Sequence, residues 1–131
     1  MLKTAVIGVG YLGRFHAQKY AGLADSELIG VVDVDPQQAQ KVADELEVPS
    51  YSDYHEVLDQ VDAVSIVVPT VHHYETAKAF MEKGVHVLLE KPFAATIKEA
   101  EELEQLSGDK NLRLQIGHLE RFNSVFTEFQ Q

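Results

Sequence analysis

The sequence predicts an α/β domain with a doubly wound parallel sheet, because short apolar runs alternate with amphipathic segments. The runs are nearly continuous, as expected for parallel strands covered on both faces, and comprise Thr4–Val9, Leu28–Asp33, Ala63–Val68, Val85–Glu90 and Leu112–Gly117. A weaker strand is predicted near Ser50–Ser52. Short strand–helix connections favour right-handed crossovers. We therefore expect a Rossmann-type sheet with strand order 3-2-1-4-5-6.

The helical segments are indicated by apolar residues at spacings of three and four. Three such stripes are Ala39, Val42, Ala43, Leu46, then Ala77, Phe80, Met81, Gly84, then Ile97, Ala100, Leu103, Leu106. A short helix is also predicted from Asp53 to Leu58. Together with the strands, these segments complete the alternation that a doubly wound fold requires.

Length and charge exclude several classes of function. The 131 residues suit one domain, and 21 acidic against 11 basic residues give a net charge of −10. Such a balance argues against nucleic acid and against an anionic membrane surface as partners. The chain has no cysteine, which rules out disulfides, thiolate metal sites and cysteine nucleophiles. With no signal peptide or membrane-length apolar run visible, we expect a cytoplasmic protein.

A glycine-rich motif follows the first predicted strand and opens a helix. In the segment Gly8-Val-Gly10-Tyr11-Leu12-Gly13, the first glycine permits a tight turn and the second lets the backbone approach a pyrophosphate. The third allows the helix to pack closely on the strand. Free N–H groups and the helix dipole then bind phosphate without net positive charge.

Asp33 strengthens the interpretation of that motif as a dinucleotide site. It ends the second predicted strand, 20 residues after Gly13, where a carboxylate can accept hydrogen bonds from the adenosine ribose. A carboxylate also repels a 2′-phosphate, so NAD is favoured over NADP. The alternative is a nucleotide-free turn followed by an aspartate that happens to end a strand.

The second half of the chain places polar residues after three more strands. Pro69 and Thr70 follow the fourth strand, and Glu90 and Lys91 end the fifth; His118 and Arg121 follow the sixth. Ligands of open α/β sheets bind outside these strand ends. Glu90 could contact a ribose while Lys91 transfers protons at the reacting carbon, although the pair could equally be a surface ion pair.

These residues occur together, in this order, in a known family. The chain resembles, over essentially its whole length, the cofactor-binding domain of the glucose–fructose oxidoreductase/inositol dehydrogenase (Gfo/Idh/MocA) family. The matching features are Gly8-x-Gly-x-x-Gly-x-x-His16, Asp33, Pro69-Thr-x-x-His73, Glu90-Lys-Pro92 and Gly117-His-x-x-Arg-Phe122. The resemblance departs at Ser124, where the family often has proline.

The resemblance implies roles for particular residues. Pro69, Thr70 and Glu90 would line the dinucleotide, Lys91 would assist proton transfer, and Arg121 would lie near the substrate. We also expect His73 among the cofactor-binding residues, and His118 either contacts the substrate or has a structural role. The implied reaction is NAD-dependent oxidation of a secondary hydroxyl on a sugar or nucleotide sugar, such as a UDP-N-acetylglucosamine-like substrate.

The resemblance also implies a division of the chain into 1–120, an NAD-binding domain, and 121–131, the start of a connection to a C-terminal substrate domain. The complete protein is expected to form a homo-oligomer. Two alternatives remain, a non-catalytic NAD-binding module and an enzyme resembling glucose-6-phosphate dehydrogenase.

The histidines predict no metal site. His72 and His73 are adjacent at a helix start and point about 100° apart, so they cannot readily chelate one ion. No third ligand is evident near them. His16, three residues after Gly13, is expected to pack and form hydrogen bonds rather than to take part in catalysis.

Overall fold

The structure is a computed structural model in which residues 2–89 and 96–116 are described. Its strands are β1 Leu2–Ile7, β2 Ser26–Val32, β3 Ser50–Tyr51, β4 Ala63–Ile66, β5 His86–Leu89 and β6 Leu114–Ile116. Its α-helices are α1 Tyr11–Gly22, α2 Pro36–Leu46, α3 His73–Glu82 and α4 Ile97–Asp109. The sheet is parallel, and its order, β3-β2-β1-β4-β5-β6, confirms the prediction.

The register of the central strands brings three strand ends level with one another. Ile7 of β1 pairs with Val32 of β2 on one side and with Ile66 of β4 on the other. The chain adds β2 and β3 on one side of β1 and then crosses to add β4 on the other side, so the direction in which strands are added reverses between β1 and β4. Ligands of such sheets bind outside the carboxyl ends of the two strands at this switch point.

Each face of the sheet carries its own apolar core. On one face Val6 and Val31 pack with Ala17, Tyr20 and Val42 of α1 and α2. On the other face β-strand residues pack with α3 and α4, and the fully buried members include Ala5, Val64, Ala77, Phe80, Met81 and Leu103. Helices on both faces explain why the strands have almost continuous apolar runs instead of alternation.

The bounds of several elements differ from the sequence prediction. β1 ends at Ile7 rather than Val9, because Gly8 has φ +92° and turns the chain out of the sheet. The short helix after β3 is a single 3-10 turn, Tyr54–Glu56, which Asp53 caps by accepting the His55 N–H. Ile97 is 80% exposed rather than packed, because it is the first residue of α4 and helical side chains lean toward the N-terminus.

Buried polar side chains connect α1 to the central strand β4. Ser65 Oγ donates to the Tyr20 hydroxyl at 3.0 Å and lies 3.0 Å from Nδ1 of His16. All three residues are buried, and burial raises the pKa of Tyr20 far above its ordinary value, so the phenol stays neutral. His16 is therefore the packing and hydrogen-bonding residue that the sequence predicted.

No helix within 2–89 or 96–116 is both long and apolar enough to cross a membrane.

We expect Ser65→Ala to destabilise the domain, since His16 and Tyr20 would each lose one buried hydrogen-bond partner. A loss of about 1–3 kcal/mol in the free energy of unfolding is expected. Urea denaturation followed by circular dichroism measures it. The matched control is Ser107→Ala, because the Ser107 hydroxyl donates to the Glu104 carbonyl within α4 in a solvent-exposed hydrogen bond, and its effect should stay within about 0.5 kcal/mol. Equal effects of the two substitutions would contradict this role for Ser65.

Candidate functional site

The glycine-rich loop packs so closely that two of its glycines have no room for a side chain. A Cβ on Gly13 would lie 1.8 Å from the Gly8 carbonyl oxygen, and a Cβ on Gly8 would lie 2.4 Å from that of Val67. Gly8 also has φ +92°, a conformation that L side chains rarely adopt. The loop between β1 and α1 therefore rests directly on the end of β4.

Gly10 differs, because it faces open space. No atom of the described chain, beyond its immediate neighbours, lies within 4 Å of the position that a Cβ would take there, and its φ of −68° suits any residue. Nothing in the packing thus requires glycine at this position. A group that approaches the backbone closely from outside, such as a pyrophosphate, would require it.

Gly10 is also the N-cap of α1. In the described structure α1 has no side-chain cap and no acidic residue in its first turn, whereas Asp35 caps α2 and Thr96 caps α4. The start of α1 consequently presents its first N–H groups and the positive end of the helix dipole to an anion.

The Asp33 carboxylate connects β2 to the glycine-rich loop. Its Oδ2 accepts the Val9 N–H at 2.9 Å, and its Oδ1 accepts the Asp35 N–H at 2.9 Å. Each carboxylate oxygen can accept a further hydrogen bond. The carboxylate is therefore held in place by the backbone, with acceptor capacity left for ribose hydroxyls.

Gln38 holds the next peptide group, between Val9 and Gly10, and sequence reasoning missed it. Its Nε2 donates to the Val9 carbonyl oxygen at 2.7 Å. Gln38 is the third residue of α2, two positions after Pro36. The only signal in the sequence was a long amide side chain in the first turn of the helix that follows Asp33.

The loop after β4 lies on the other side of β1 from Asp33. The buried His73 ring donates from Nε2 to the Val68 carbonyl at 2.8 Å, and the His72 N–H donates to the Pro69 carbonyl at 2.9 Å. Pro69 is exposed, and Thr70 begins the 3-10 turn Thr70–His72. His73 thus acts on this loop by holding its backbone.

Several apolar side chains are exposed beside these loops. Val34 is 91% exposed, Tyr11 83% and Val71 68%, while Leu12 and Phe15 are partly exposed. Val34 follows Asp33, Tyr11 opens α1 and Val71 follows β4, so all three lie near the carboxyl ends of the central strands. They offer apolar surface for a base or for another layer of protein.

Arg14, near the start of α1, forms an ion pair with Glu45 of α2 at 2.9 Å. Glu90, Lys91, His118 and Arg121 lie outside the described residues. Among residues 2–89 and 96–116, no three His, Asp or Glu side chains are grouped so that they could hold a metal ion.

Comparison with known proteins agrees with this geometry. The model of the Gfo/Idh/MocA family, described as an oxidoreductase family with an NAD-binding Rossmann fold, matches residues 2–118. The chain belongs to that family. It is an NAD-binding Rossmann domain, and the open backbone at Gly10 and the tethered Asp33 carboxylate fit that cofactor.

Among the similar proteins is the UDP-N-acetylglucosamine 3-dehydrogenase of Acidithiobacillus ferrooxidans, which is 44% identical over 99% of this chain and 41% of its own length. A solved structure of the enzyme of that name from the same organism superposes with a TM-score of 0.85, at 48% identity, over 92% of this chain and 39% of that one.

A scyllo-inositol dehydrogenase from Lactobacillus casei, solved with NAD(H) and scyllo-inositol, has a TM-score of 0.84 at 29% identity. The match covers 93% of this chain and 37% of that one. The chain thus spans about two fifths of the length of each of these relatives.

Alanine at Gly13 should lower the stability of the domain, whereas alanine at Gly10 should weaken NADH binding. Gly13→Ala places a methyl group on the Gly8 carbonyl and should lower the free energy of unfolding by about 1–3 kcal/mol or more. Gly10→Ala has room in the protein, so it should fold with wild-type stability and bind NADH about tenfold or more weakly. Thermal unfolding and NADH fluorescence titration measure both. Wild-type NADH affinity in Gly10→Ala would contradict a pyrophosphate contact at Gly10.

Proposed function

We propose that this chain is the cofactor-binding part of a dehydrogenase that oxidises a secondary hydroxyl of a sugar or nucleotide sugar, with NAD as acceptor. The observation that carries the proposal is the hydrogen bond between the glycine-rich loop and Asp33, because it brings the uncapped start of α1 and a carboxylate side by side. The 44% identical relative that acts on UDP-N-acetylglucosamine supports a nucleotide-sugar substrate.

In this proposal the described residues bind and orient the cofactor. The N–H groups at the start of α1 hold the pyrophosphate, and the Asp33 carboxylate accepts the adenosine ribose hydroxyls. Pro69 and Thr70 line the dinucleotide from the β4 side, on a loop whose backbone His73 holds. NAD, when bound, supplies the acceptor for the hydride that leaves the hydroxyl-bearing carbon.

Proton handling is assigned to Lys91, with Glu90 at the nearby ribose and with His118 and Arg121 at the substrate. The support is the Glu90-Lys91-Pro92 segment, which begins directly after β5. A lysine in that position removes or returns the hydroxyl proton as the hydride moves. A substrate domain following residues 121–131 would close the site, exclude water and hold the hydroxyl near the ring.

The proposal extends to the complete protein and its setting. The chain covers about 41% of the length of the UDP-N-acetylglucosamine 3-dehydrogenase, which supports residues 1–120 as one domain and 121–131 as the connection to a second. We propose a homo-oligomer located in the cytoplasm, where the cellular NAD pool is available.

The experiment that tests the proposal is NADH titration of this chain, followed by an absorbance assay of the chain joined to a substrate domain. Sugars, inositols and UDP-sugars serve as substrates. NADH binding with turnover of one of these classes is expected. NADH binding without turnover would instead indicate a non-catalytic module, and absence of NADH binding would remove the proposal.

Substitution of Asp33 should change cofactor choice. Hydrogen bonds to an ionised group contribute about 1.5–3 kcal/mol, so Asp33→Ala should weaken NAD binding about 10- to 100-fold. Because a negative charge near the 2′-position is removed, NADP should gain relative to NAD. Calorimetric titration with both cofactors measures the ratio. Asp44→Asn, which removes an exposed charge on α2, is the control and should leave the ratio of NAD to NADP affinity unchanged. An unchanged ratio in Asp33→Ala would contradict the assignment of Asp33 to the ribose.

Substitution of Lys91 should affect turnover much more than binding. In the chain joined to a substrate domain, Lys91→Ala should lower kcat about 10²- to 10⁴-fold, with the Kd for NADH nearly unchanged. Lys83→Ala is the matched control, since Lys83 forms a surface ion pair with Asp59 at 3.3 Å and should have no effect. A wild-type kcat in Lys91→Ala would make Lys91 only a partner of Glu90.

A further inference from the structure

We infer that Gln38 is a positioning residue of the dinucleotide site, because it holds the Val9–Gly10 peptide in one orientation. The inference rests on the proposed function, since the peptide that Gln38 holds leads into the anion-binding start of α1. The Gln38 amide donates to the backbone of the loop, so the proposed effect on the cofactor is transmitted through that backbone.

The contacts around Val9 hold this peptide and the one before it. Val9 is completely buried; its N–H donates to Asp33 Oδ2 at 2.9 Å and its carbonyl oxygen accepts from Gln38 Nε2 at 2.7 Å. Both backbone groups of one buried residue are thus bonded to side chains from the β2–α2 segment. Without Gln38 the carbonyl would lose that partner in a place where an unsatisfied polar group is costly.

The start of α2, which carries Gln38, is itself anchored. Asp35 donates its N–H to Asp33 Oδ1 at 2.9 Å and caps α2 by accepting the Gln37 N–H at 3.0 Å. Gln38 is the next residue, in the first turn of α2. The hydrogen bonds therefore form a closed path from Val9 through Asp33, Asp35 and α2 back to Val9.

Planarity of the peptide bond transmits this constraint to Gly10. In a trans peptide the carbonyl of one residue and the N–H of the next point in opposite directions. With the Val9 carbonyl directed at Gln38, the Gly10 N–H must point away from α2. Gly10 is the N-cap of α1 and its Cα faces open space, so Gln38 sets the backbone orientation at the place where a pyrophosphate would approach.

The test compares Gln38→Met, which keeps the length of the side chain but removes the donor, with Gln38→Lys, which restores a donor of similar reach. Gln37→Met and Gln37→Lys are the controls, because the Gln37 side chain is exposed and only its backbone is used in the path. NADH titration, thermal unfolding and the Gly10 amide resonance in a ¹⁵N-labelled sample without NADH are measured for all four variants and for the wild type.

We expect Gln38→Met to raise the Kd for NADH about three- to tenfold and to move the Gly10 amide resonance. Gln38→Lys should return both toward the wild type, and both Gln37 variants should match it. A purely structural role would lower the melting temperature without a change in the Gly10 resonance, and that result overturns the inference. Unchanged Kd and unchanged resonance in Gln38→Met would do so as well.

Failure of the proposed function gives a different result. If the wild-type chain does not bind NADH, the Gly10 resonance alone decides whether Gln38 orients the peptide.

Discussion

The arrangement of the site depends on the close approach between α1 and the end of β1. A Cβ on Gly13 would overlap the Gly8 carbonyl oxygen, and a Cβ on Gly8 would overlap that of Val67. Only glycines at both positions let the start of α1 lie directly over the boundary between β1 and β4. A helix N-terminus without a side-chain cap in the described structure can then attract an anion in a chain of net charge −10, because the attraction comes from local backbone dipoles rather than from net charge.

Under the proposed function the Asp33 carboxylate has two roles, and truncation to alanine removes both. It would accept the ribose hydroxyls, and it accepts the Val9 and Asp35 N–H groups. Removing it to admit a 2′-phosphate would also release one side of the glycine-rich loop. Cofactor choice is therefore coupled to loop geometry. An efficient change from NAD to NADP needs a replacement that still accepts the Val9 N–H, with Gln38 retained on the carbonyl side.

The sequence predicted the fold well because apolar runs and glycine spacing are properties of short segments. Strand order, the two-sided core and the glycine loop all follow from such local patterns. The predicted end of β1 was wrong by two residues, because the apolar Val9 continues the pattern of a strand although Gly8 has already turned the chain out of the sheet. The contacts of Gln38 and Ser65 were not predicted, because a hydrogen bond between distant elements produces no periodic pattern in the sequence. Ser65 did leave a weaker signal, a lone polar residue within the apolar run of β4.

The strand order also explains how binding and chemistry are divided along the chain. Asp33 follows β2, and β5, whose carboxyl end precedes Lys91 in the sequence, lies three strand positions from β2 in the sheet. With neighbouring strands about 4.8 Å apart, the ends of β2 and β5 are separated by about 14 Å. An extended dinucleotide covers such a distance, so the proposed site would hold its pyrophosphate above the β1–β4 boundary and its two nucleosides on either side. Under the proposed function, the first half of the chain would therefore determine which cofactor binds, while the sequence after β5 and β6 would supply the residues at the reacting end.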